Sequence, residues 1–120
     1  MMTSSEVANF FALMGLPPLD FAPGRPINFI LNESLELSLE YNEEDNIVIV
    51  LSSLMPPYAY AKLEKALRAA SYMVKRQLDF TVGYSRDKLL LLTEVPGECS
   101  AQELLAAVES LMLQNEQLEA

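Results

Sequence analysis

The chain of 120 residues contains no histidine, no tryptophan, one cysteine and four glycines. Without histidine there is no imidazole to serve as a general base or as a metal ligand. The serines at positions 34, 38, 52, 53, 71 and 85 therefore have no histidine to activate them. Cys99 cannot form an internal disulfide, which suits a reducing cytosol, and Glu98 beside it raises rather than lowers a thiol pKa. Gly15, Gly24, Gly83 and Gly97 are isolated from one another, so the chain has neither a phosphate-cradling loop nor a dinucleotide fingerprint. Glu43, Glu44 and Asp45 lack the spacing of a calcium loop and read as a solvated turn. No catalytic residue, metal or cofactor is expected, and the chain does not read as an enzyme.

Basic residues are scarce: 8 Lys and Arg stand against 17 Asp and Glu, for a net charge of −9. Nucleic-acid phosphates and anionic membrane surfaces both attract clustered cations, so neither is an expected partner. Basic or apolar proteins are. No apolar run reaches the roughly 18 residues of a spanning helix, and the amino terminus has no secretory pattern. A soluble cytoplasmic protein is expected.

What the chain has in quantity is apolar side chains, at 51%. One domain over 1–120 follows from that content and this length. Its organising stretch is LELSLEYNEEDNIVIVL, residues 35–51. Leu35, Leu37, Leu39 and Tyr41 alternate with Glu36, Ser38 and Glu40, which is the period of a half-buried strand. After the polar turn Asn42 to Asn46, residues 47–51 run without a polar interruption. Such a run predicts a strand covered on both faces.

The other elements follow in order. Thr3 and Glu6 have capping-box spacing before Val7, Phe10, Phe11 and Met14, so a helix is expected over 4–14, with Leu13 off its apolar stripe. Gly15, Pro17 and Pro18 end it. A loop pinned by Phe21 leads to a strand over 27–31, and Pro26 at its start marks an edge. With 35–41 and 47–51 this makes a three-strand meander. Pro56 and Pro57 open a helix over 58–76 whose stripe of Ala59, Leu63, Ala66, Leu67, Ala70 and Val74 is half alanine. Five of the 8 basic residues, Lys62, Lys65, Arg68, Lys75 and Arg76, fall in it and read as a solvated face. Residues 80–84 and 88–93 make a second hairpin, in which Leu89 to Leu92 again ask for two covered faces. Ser100 and Glu103 cap a last helix carrying Leu104, Leu105, Val108, Leu111 and Met112, with a fraying polar tail from Gln114. The fold class is α+β: helix, three-strand antiparallel meander, helix, two-strand hairpin, helix. Two doubly covered strands ask for more cover than three short helices give, so a dimer is expected.

This order, its spacing and its acidity resemble the class I chaperones of bacterial type III secretion, the CesT-like or Tir chaperone family. The residues that carry the resemblance are the turn GLPPL, the meander INFILNESLELSLEYNEEDNIVIVLSSL, the segment KLEKALRAASYM, the hairpin FTVGYSRDKLLLLTEVP and the helix SAQELLAAVESL. The resemblance implies a dimeric fold with Leu63, Ala66, Leu67 and Ala70 at a two-fold interface, with itself or with a related chaperone. It also implies that Leu13, Phe29, Ile30 and Leu31 contact an extended amino-terminal segment of a secreted effector or gatekeeper. The alternative is a regulatory domain that sequesters a transcription factor or a secretion regulator.

Overall fold

The computed structural model describes residues 1–54, Ala61, Glu64, Lys65, Arg68, 80–85 and 87–119. Helix α1 is Ser4–Leu13 and the strands are β1 Ile27–Asn32, β2 Leu35–Tyr41, β3 Ile47–Leu54, β4 Thr81–Ser85 and β5 Lys88–Val95. Helix α2 is Ala101–Glu119. The helix expected over 58–76 lies outside the described residues except at Ala61, Glu64, Lys65 and Arg68, which are helical.

All five strands form one antiparallel sheet in the order β1-β2-β3-β5-β4. The meander and the hairpin are thus one sheet, joined where β3 pairs with β5 from Ile47↔Val95 to Leu54↔Lys88. The two strands with unbroken apolar runs are its centre, and β1 is an edge, as Pro26 predicts.

One face of the sheet is the core. Leu37, Leu39, Ile47, Ile49, Leu51, Leu89 and Leu91 are no more than 1% exposed, and α1 and α2 cover them with Phe10, Phe11, Leu104, Val108 and Leu111. Phe11 meets Phe10 and Phe29 edge to face, at ring-centroid distances of 5.6 and 6.0 Å. The apolar stripe of α1 is therefore the seam between helix and sheet, and each fully buried large side chain there contributes roughly 1.5–3 kcal/mol. The other face is covered only in part. Val48, Val50, Leu90 and Leu92 are half-buried and do not join the core cluster, so the second face of β3 and β5 is not fully covered within the described residues.

The caps differ in kind. Thr3 Oγ1 accepts from the Glu6 N–H at 3.1 Å, but the Glu6 carboxylate turns away and accepts from the Ala101 N–H at 2.5 Å. One side chain of α1 thus satisfies a first-turn amide of α2, 95 residues on. Ser100 and Glu103 form the full reciprocal box, at 3.1 and 3.2 Å. Helix α2 runs on through Glu119 rather than fraying from Gln114. The reason is burial: Leu111 and Asn115, one turn apart, are both nearly inaccessible, so the tail is held by packing that its composition does not announce.

Phe21 stacks on Tyr41 with centroids 4.6 Å apart, which pins the loop between α1 and β1. Tyr41 Oη also accepts from the Met2 N–H at 3.0 Å, and burial raises the phenol pKa. The β2–β3 turn is held by the Glu94 Oε1, to which the side-chain amides of Asn42 and Asn46 both donate.

Candidate partner-binding edge

Strand β1 carries the exposed main chain of interest, and the direction of its peptide groups follows from the register. The Leu54 N–H donates to the Ser34 carbonyl at 3.0 Å, and the Asn42 N–H donates to the Asn46 carbonyl at 2.8 Å. Even-numbered residues of β2 therefore bond to β3, and its odd-numbered residues bond to β1. Ile27 and Phe29 stand opposite Leu39 and Leu37, so their peptide groups point into the sheet. Those of Asn28 and Ile30 point away from it. The register then slips between Ile30 and Asn32, with Leu31 as the extra residue of a bulge that stops regular pairing at that end.

The side chains alternate in the same way. Ile30 is 83% exposed on the outer face, directly across from Glu36, whose carboxylate lies 3.7 Å from Lys88. Leu54, 57% exposed, lies beside Lys88 and completes a shallow depression with Ile30. The side chain of Phe29 is buried beneath Phe11 and belongs to the core, and Leu31 is half-buried against that core. Leu13 is 52% exposed but lies elsewhere, in a groove between α1 and the start of α2 lined by Glu6, Asn9 and Ala101. The four residues that the resemblance assigned to a partner thus do not form one patch. Ile30 is the one with both an exposed side chain and an outward peptide group. Leu63, Ala66, Leu67 and Ala70 lie outside the described residues.

Cys99 is 5% exposed, and its thiol is pushed up first by burial and then by the charges of Glu103 and Glu6. Such a thiol is a poor nucleophile. In the folded protein Cys99 should react with iodoacetamide at least about tenfold more slowly than a free thiol at pH 8, and at the ordinary rate in denaturant. Equal rates in the two conditions would place the thiol in solvent. Among the described residues no group of three or more acidic or cysteine side chains is arranged to hold a metal ion. No described helix is long and apolar enough to cross a membrane.

No protein-family model and no curated protein sequence matches the chain. Solved structures share its fold. The ExsC-ExsE complex aligns with a TM-score of 0.71 at 15% identity, over 94% of this chain and 87% of that one. The type III secretion chaperone SycH of Yersinia pestis, solved with a fragment of YscM2, aligns at 0.70 and 17%, over 96% and 98%. YbjN of E. coli, a proposed transcription regulator, aligns at 0.61 and 11%, over 97% and 87%. Further matches are a chaperone-effector complex and a heterodimeric complex from a type III secretion system. The chain therefore has the α+β fold found in type III secretion chaperones solved with their partner proteins.

Proposed function

We propose that the protein is a type III secretion chaperone that holds an extended amino-terminal segment of an exported effector or gatekeeper protein. It keeps that segment ready for export without hydrolysing a nucleotide. The observation that carries the reading is the β1 edge: outward peptide groups at Asn28 and Ile30, next to a side chain 83% exposed, on a fold whose solved examples include chaperones bound to partner proteins. An edge strand accepts one more strand through main-chain hydrogen bonds, and these serve segments of differing sequence. Purification from the native host with crosslinking tests the reading. An exported protein, attached through its first residues, is the expected partner; a DNA-binding protein instead would favour the regulatory alternative, which the likeness to YbjN keeps in play.

The working form in this reading is a cytoplasmic homodimer, with Leu63, Ala66, Leu67 and Ala70 between copies. Its support is the resemblance. Ala70→Glu should then give a folded single chain of 13.4 kDa by light scattering, because an unpaired charge at a close helix contact costs several kcal/mol. An undiminished dimer mass in that variant would move the interface elsewhere.

A further inference from the structure

The outer face of the sheet has a charge pattern that edge-strand capture does not use. Along the solvent side of an antiparallel sheet, polar residues are the rule. Here Val48 and Val50 on β3 and Leu90 and Leu92 on β5 make an apolar strip, with Val50 opposite Leu92. Val48 stands at one end of the strip, between Glu40 on β2 and Glu94 on β5, its direct cross-strand neighbours. Both carboxylates are on exposed residues, and neither has a cation partner among the described residues. Glu94 Oε1 is taken up by two amide donors, which are neutral and leave its charge in place. At the other end Lys88, a cation on the same face of the sheet, is already paired with Glu36.

We propose that this face docks a basic, amphipathic segment of a partner protein, whose apolar residues lie on the Val48, Val50, Leu90 and Leu92 strip and whose Lys or Arg seats over Val48 between Glu40 and Glu94. The complementarity is specific in sign and place. An apolar strip alone would accept any hydrophobic segment, whereas two carboxylates flanking its end reject an acidic one and fix the register of a basic one. The surface is separate from the β1 edge, since it selects by side chains on a face and not by main-chain groups at a margin.

The test uses two peptides of about nine residues, roughly the span of a long strand. Both carry valine at the alternate positions that face the sheet; one has lysine at the sheet-facing position of one end and its counterpart has glutamate there. Titrated into the full chain at physiological salt, the lysine peptide should bind at least about tenfold tighter and shift the amide resonances of Val48, Val50 and Leu92. Glu40→Gln with Glu94→Gln should weaken it about fivefold, while the amide oxygen introduced by the second change still accepts from the turn amides. Glu109→Gln with Glu116→Gln, an equal charge change on the exposed side of α2, should leave it within about twofold. Equal loss in both double variants would reduce the effect to net-charge attraction and overturn the proposal, as would equal binding of the two peptides. A second copy on this face would appear as a dimer mass that Val50→Lys halves, and that result overturns it too.

Discussion

Ile30→Pro should leave the protein folded and remove most of its capacity to hold a partner. The Ile30 N–H points away from β2, so proline removes no bond of the sheet, and its ring stands where an added strand must approach. The fold should lose no more than about 1 kcal/mol, and capture of the co-purified partner should fall at least about tenfold. Phe29→Pro is the contrast. There the lost N–H bonds to Leu37 and the lost ring packs under Phe11, so the variant should unfold or melt far below the parent. Ile30→Ala separates the two contributions of the position, because it shortens the exposed side chain and keeps the amide. Capture by Ile30→Pro at the parental level, in a protein shown to be folded, would refute strand addition at β1. Equal losses in Ile30→Ala and Ile30→Pro would assign the contact to the side chain.

The largest expected loss of stability from the smallest change lies at Gly97. A Cβ placed there would sit 1.8 Å from the Asp45 carbonyl oxygen, a distance that no side-chain rotation relieves because both atoms are fixed to the main chain. Asp45 itself is held in the left-handed region with φ of 61°, and its turn is tied to Glu94 through Asn42 and Asn46. Gly97→Ala must therefore push apart two segments that are anchored on both sides. A cost of about 3 kcal/mol or more is expected, read as a melting temperature lower by roughly 10 °C or more. Gly83→Ala is the matched control, since its new Cβ would make ordinary contacts of 3.6 Å with Leu90 and has no positive φ to relieve. If Gly97→Ala melts within about 2 °C of the parent, the packing of the β2–β3 turn against the segment before α2 is looser than described.

The elements themselves were legible in the chain because each announces itself locally. Alternation at Leu35 to Tyr41 marked a half-buried strand, Pro26 marked an edge, and Thr3 and Ser100 marked two helix starts, each seen in the structure. Hydrophobic period, turn chemistry and caps depend on residues a few positions apart, so they can be read without a fold. The missing histidine and the isolated glycines likewise argued against whole classes of chemistry from composition and spacing alone.

Contacts between distant residues were not legible in that way. Periodicity shows that β3 and β5 each have apolar residues on both sides, but not that they lie next to one another, because pairing across some 40 residues depends on register and on the packing of both faces. The same run asks for two covered faces without saying what covers the second, which is half-buried. The Glu6 carboxylate capping α2, Gly97 against Asp45, and Asn115 buried in an apparently polar tail were hidden for the same reason. So was the split among the four contacts that the resemblance implies: the sheet sends Phe29 inward and Ile30 outward, while Leu13 faces another groove. Which side of a strand meets water is a local pattern. Which strand, helix or partner lies beyond it is settled by the long-range contacts that bury the larger apolar area.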